Sequence, residues 1–248
     1  LRAILDNNSK SGEHKWLCVR IPCQLSEHDA IGIDVTKMAQ SGVDMFNLSG
    51  WYHTTQQNDI AAIRKLVPDK SVYLEMTHSA GNLMFTTGPS GYGTSSFPRT
   101  SDYQFYTTAN LAYLNGADGV SFFNFQYYRR GYQTFGYAVI NEPPFHVIKH
   151  LIDPDWLSKQ SQYYWFGDWT YNDQIGTQDA LLRANQSRKY YMQLAMPDDV
   201  KNRKAFLRIH TKERMDGGAD ISSHINGDEL EESYFMNAFL DNPYDIMI

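Results

Sequence analysis

Cysteine is nearly absent: two residues, Cys18 and Cys23, in a chain of 248. They lie on either side of Pro22 in one short segment, a poor place for a structural staple, and no CxxC or Cys/His zinc spacing accompanies them. Long apolar runs are missing too; none approaches the roughly 20 residues of a membrane span. Positive charge is scarce, 22 basic against 28 acidic residues for a net charge of -6, which argues against the basic face of a nucleic-acid binder. There is no His-X-His or HExxH spacing, so no metal is expected. The one glycine-rich loop, Gly88-Pro89-Ser90-Gly91-Tyr92-Gly93, lacks the strand–turn–helix setting of a phosphate cradle, reads as a lid or plain loop, and gives no reason to expect a cofactor. No signal peptide is visible, and the chain opens on Leu1, as a processed or trimmed chain would. What is plentiful is aromatic: 17 Tyr, 13 Phe and 5 Trp. Such rings present an apolar face and a polar tip, suited to sugar clefts and to protein interfaces alike.

Residues 1–154 alternate between two hydrophobic periods. Strands are expected at 16–22, 43–49, 71–77 and 119–126. Helices are expected at 28–41, 57–67, from Ser101 to Gly116, and near 144–152. Ser41-Gly42-Val43-Asp44 is echoed by Asn115-Gly116-Ala117-Asp118, each a helix end followed by a strand. This predicts an α/β fold with a parallel sheet, about four βα units of a TIM-type (β/α)8 barrel. From residue 155 to 248 the texture changes to short β-forming runs with turn signals at Gly217-Gly218 and Asn226-Gly227, predicting a small antiparallel β-sandwich.

Side chains alternate across a strand. One parity is apolar (Leu17, Val19, Ile21; Phe46, Leu48; Val72, Leu74, Met76; Phe123, Phe125) and must face helices. The other turns polar toward the C-terminal strand ends: Arg20, Asn47, Ser49, Glu75, Thr77, Asn124, Gln126. That is where barrel folds place their chemistry; the structural alternative is a satisfied hydrogen-bond network. Asp44 and Asp118 fall at the opposite ends, where they are expected to cap or bridge, and Asp34 falls within a helix.

Arg20-Ile21-Pro22, Gly32-Ile33-Asp34, the run from Gly116 to Gly119 leading to Phe123-Asn124-Phe125, and Asn226-Gly227 within Ile225–Leu230 carry a resemblance. Together they resemble glycoside-hydrolase-like TIM-barrel proteins of the glycosyl hydrolase-like 10 kind, over roughly residues 1–235. The resemblance implies a carbohydrate substrate, hydrolysis of a glycosidic bond and a secreted or periplasmic setting. It also implies another chain or an N-terminal half that completes the barrel. Glycosidases commonly use two carboxyl groups. Glu75, a charge in an otherwise apolar strand, is the catalytic candidate, its alternative being an ion pair with Arg20. Arg20, Asn47, Trp51, Tyr52, His53, His78, Asn124, Gln126 and Tyr127 are the candidate substrate-binding residues. Glu142 is a weak second carboxylate, more readily read as a solvated loop residue. Non-catalytic sugar binding, or a role as an assembly subunit, is the rival reading.

Overall fold

The computed structural model describes residues 1–9, 12–50, 53–79, 100–128, 143–165, 186–187, 189–196, 199–210, 222–230, 236–237 and 245–247. Two compact units divide the chain, Leu1–Pro197 and Asp198–Ile248. The expected boundary at 154/155 falls inside the first unit. There Leu157 joins the core around Phe105 and Tyr106, and Trp156 meets Tyr106 edge-on, ring centroids 5.0 Å apart.

The first unit runs α1 (Arg2–Asn7), β1 (Cys18–Pro22), α2 (Val35–Gln40), β2 (Met45–Ser49), α3 (Ile60–Leu66), β3 (Ser71–Met76), α4 (Asp102–Leu114), β4 (Gly119–Phe122) and α5 (Pro154–Ser158). The four strands form one parallel sheet in the order β1-β2-β3-β4, and among the described residues it does not close on itself. In the first three strands the apolar parity behaves as expected; in the fourth it is reversed, Val120 and Phe122 packing with the helix-side core. Phe46, Leu48, Val72 and Leu74 are fully buried against Val35, Ile60, Ile63 and Ala112 from the helices. Each such side chain contributes about 1.5–3 kcal/mol by leaving water.

Several helix boundaries differ from expectation for local reasons. The predicted helix 28–41 breaks at Gly32, whose φ of 74 is left-handed; 3₁₀ turns precede it, and α2 starts only at Val35. Asp34 is therefore the cap of α2, its side chain accepting from Lys37 N, and not a residue within the helix. α4 starts with a capping box between Ser101 and Gln104. The fourth strand stops at Phe122: Asn124 takes φ 52 and the chain turns into a 3₁₀ segment, Phe125–Tyr128. The helix expected near 144–152 is a 3₁₀ segment, Phe145–His150.

The sequence echo is a structural repeat. α1-β1-α2-β2 and α3-β3-α4-β4 share a clamp at the N-terminal side of the sheet. In the first, Asp44 Oδ2 accepts from Leu17 N (2.7 Å) and Arg2 Nη1 (3.0 Å), while Arg2 Nη1 also donates to Lys15 O (2.7 Å). In the second, Asp118 Oδ2 accepts from Val72 N (2.8 Å) and from Arg64 Nη2, while Arg64 Nη1 donates to Lys70 O (2.6 Å). Gly42 (φ 95) and Gly116 (φ 92) end α2 and α4, and each lies under the arginine stem of its own clamp. A Cβ at Gly42 would lie 2.6 Å from Arg2 Cγ, so conformation and space both demand glycine there.

The second unit contains antiparallel strands. β5 (Arg208–His210), β9 (Asp245–Met247) and β8 (Met236–Asn237) form one sheet in the order β5-β9-β8, and β6 (His224–Ile225) pairs with β7 (Asp228–Glu229). The turn predicted at Asn226-Gly227 joins β6 to β7, with φ 55 and 99. Gly217-Gly218 lies outside the described residues.

Candidate functional site

The parallel pairing places Arg20 beside Asn47, Ser49 beside Glu75, and Glu75 beside Ser121. Being of one parity, these side chains rise from one face of the sheet and meet. Arg20 Nε donates to Glu75 Oε1 (3.0 Å) and Oε2 (2.8 Å), and Arg20 Nη2 donates to Oε1 (2.7 Å) and to Ser49 Oγ (2.8 Å). The Ser49 hydroxyl donates in turn to Glu75 Oε1 at 2.6 Å. Asn47 Nδ2 donates to Oε2 at 3.0 Å, and the Asn47 carbonyl accepts from Ser121 Oγ at 2.6 Å.

Exposure within this cluster is uneven. The Glu75 side chain is 4% exposed and the Arg20 side chain 42%. The carboxylate lies at the bottom and is wholly surrounded by donors, a condition that burial of a charge imposes. The guanidinium forms the lid and lies over the Phe123 ring, 4.2 Å from its centroid. A carboxylate fixed this way can hold one orientation while positive charge develops in front of it.

The remaining expected residues distribute differently. His53 is buried, with Nδ1 3.1 Å from Ser79 Oγ, and burial pushes its pKa down to about 3, so it is a neutral, inward-facing residue. Around it Thr54 and Thr100 donate to Thr77 O (2.7 and 3.0 Å), and Thr54 N donates to Ser79 O (2.7 Å). His78 is also buried: its ring stacks on Phe105 (6.4 Å) and meets Phe125 edge-on (6.1 Å). Neither histidine is an exposed donor at the rim. Asn124, expected to join Arg20, Asn47 and Glu75, makes no hydrogen bond to them. Its left-handed backbone follows the end of β4, and Ser121 takes its place in the cluster. Gln126 is exposed and Tyr127 lies on the 3₁₀ segment. Trp51, Tyr52 and Glu142 fall outside the described residues.

Phe123, expected on the helix-facing parity, instead meets Arg20: Val120 and Phe122 pair with Leu74 and Met76 and pack with the helix-side core, so Ser121 and Phe123 share the face of Glu75 and the parity expected for the fourth strand is reversed. Ser121 shares its parity with Phe123 and Phe125, the set expected to be apolar, and a lone hydroxyl there is a faint signal. Asp44 and Asp118 bridge strand starts at the opposite end of the sheet, as their positions suggested. Among the described residues no second carboxylate hydrogen-bonds to the Glu75 cluster, and no group of three or more His, Cys, Asp or Glu is placed to hold a metal ion. Nor is any described helix long and apolar enough to cross a membrane. No protein-family model matches this chain, and no curated protein matches it either.

Proposed function

We propose that this is a secreted or periplasmic glycoside-hydrolase-like protein whose parallel sheet is part of a TIM-type barrel, followed by an antiparallel sandwich, and that it hydrolyses a glycosidic bond with Glu75 as its principal carboxylate. The observation that carries the reading is the placement of Glu75. It is a buried carboxylate at the C-terminal end of a parallel strand, held in one orientation by Arg20, Asn47 and Ser49. Parallel α/β folds put reacting groups at that end, and glycosidases work through carboxylates aimed at the anomeric centre. Curvature supports the barrel portion. Adjacent strands are spaced about 4.8 Å apart, yet Arg20 on one edge strand covers Phe123 just beyond the other.

A second reading, non-catalytic carbohydrate binding, is favoured by one feature: both Glu75 oxygens are already engaged by donors. One experiment separates the two. The whole chain and its Glu75→Gln variant are assayed for hydrolysis of an oligosaccharide panel and, in parallel, for glycan binding. Loss of turnover by about 10³-fold, within the span for removal of a catalytic acid or base, with binding retained supports catalysis by Glu75. Equal turnover in both proteins removes Glu75 from the mechanism, and binding without turnover in the unaltered protein establishes the second reading.

A further inference from the structure

The repeat has a consequence at the sheet edges. On β1, Leu17 O accepts from Met45 N and Cys23 N donates to Ser49 O, so the odd-numbered residues bond to β2 and the backbone of Cys18 turns outward. On β4, Phe123 N donates to Met76 O, so Gly119, Ser121 and Phe123 bond to β3 and the backbones of Val120 and Phe122 turn outward. Among the described residues no strand pairs with either edge. An open sheet edge is a template for another strand.

The two open edges are complementary through the repeat itself. A displacement of 55 residues carries β1 onto β3, and one of 74 carries β2 onto β4. The outer edge of β4 is thus the counterpart of the β2 edge that pairs with β3, and the outer edge of β1 the counterpart of the β3 edge that pairs with β2. Transferring the β2–β3 register, Phe46 beside Val72 and Leu48 beside Leu74, gives Val120 beside Leu17 and Phe122 beside Val19. Apolar residues again meet apolar residues, and the polar parity brings Ser121 beside Cys18. Burial agrees. Phe46, Leu48, Val72 and Leu74 at the central seam are 0% exposed, whereas Leu17, Val19, Val120 and Phe122 at the edges are only partly buried.

We propose that two copies of this chain associate edge to edge, β4 of each pairing in parallel with β1 of the other about a two-fold axis along the strands. The result is a closed ring of eight strands, the number at which side chains just fill a barrel interior. The β2–β3 seam inside each copy is the template for both new seams. This inference stands on the repeat and is independent of the glycosidase reading.

Light scattering on the whole chain tests it first: a mass twice that of one chain is expected, and a folded single-chain species at tens of micromolar overturns it. A Ser121→Cys variant tests the register, since neighbouring residues on paired strands lie within disulfide reach. Mild oxidation should yield a reducible covalent dimer that a further Cys18→Ser change abolishes. A dimer that does not cross-link, or one that cross-links without Cys18, overturns the proposed seam. Cys18→Pro removes an outward N–H that has no partner within the sheet, so it should release single chains with an unchanged far-UV spectrum. Persistence of the dimer in that variant also counts against the proposal.

Discussion

The two αβαβ halves of the sheet are alike at one end and unlike at the other. At the N-terminal end each half uses Arg, Gly and Asp in the same way: arginine packed over a left-handed glycine, aspartate accepting from a backbone N–H at the start of the preceding strand. At the C-terminal end the repeat equates Arg20 with Glu75 and Asn47 with Ser121, and these equivalent positions hydrogen-bond to each other. The unlike residues at matched positions are complementary partners: cation with anion, amide with hydroxyl. The N-terminal end solves a folding problem that is the same for every βα unit. The C-terminal end is free to differentiate, and there the parallel sheet buries the one carboxylate that its described strands carry.

The strongest way to break this comparison is to remove one member of the unlike pair. Arg20→Met leaves the Glu75 carboxylate buried without its cation, a change expected to cost about 3 kcal/mol. Glu75→Gln leaves a guanidinium that already reaches solvent and can turn outward, so about 1 kcal/mol is expected. Urea denaturation of both variants and of the double variant checks the inequality. Equal losses would mean that Glu75 finds replacement donors or water, and that its burial is less consequential than its surroundings indicate.

Much of this end was legible in the sequence. Strand alternation has a strict period of two, so Arg20, Asn47 and Glu75 could be placed on one face without coordinates. The echo of Ser41–Asp44 in Asn115–Asp118 disclosed the parallel repeat. Its arginines did not show, because Arg2 and Arg64 sit on helices whose spacing to the following strand differs between the halves. Asn124 does not join the cluster because Phe123 and Phe125 suggest an apolar parity that Val120 and Phe122 in fact form, which gives the polar position to Ser121; the chain then turns left-handed at Asn124, as an asparagine tolerates. His53 and His78 look like rim donors in the sequence because chain proximity to a strand end does not reveal burial; Phe105, Phe125 and Ser79, which pack against them, come from other segments or follow later in the chain.

A smaller effect concerns the polar layer above β2 and β3. His53 has a folded value near 3 against an ordinary 6.5. Between those values the unfolded chain holds a proton that the folded chain refuses, so stability falls as pH drops from about 6.5 toward 3, by up to about 1.4 kcal/mol per unit. His53→Asn keeps a polar atom near Ser79 and has no such titration. Its urea midpoint should vary less over pH 4–6.5 than that of the unaltered protein. Identical slopes would place the acid sensitivity elsewhere.

The smallest effect tests how alike the matching ends are. Asp44 accepts from Leu17 N, Arg2 and His14 Nε2 (3.0 Å) with 13% of its side chain exposed, whereas Asp118 is 48% exposed. Burial opposes the charge on Asp44, but the Leu17 N–H, His14 and Arg2 together outweigh it and hold its carboxyl below the ordinary value. The folded state therefore releases this proton more readily than the unfolded state. The resulting stability is complete above about pH 4 and is lost as pH falls through the depressed value. Asp44→Asn should cost about 1 kcal/mol at neutral pH and converge with the unaltered protein in acid. Asp118→Asn, at a more solvated site, should cost about half as much. If Asp118→Asn proves the more damaging, the second clamp carries the sheet and the halves are matched in geometry but not in energy: β3 is a central strand, paired on both sides, and a loosened start there would be felt by β2 and β4 together.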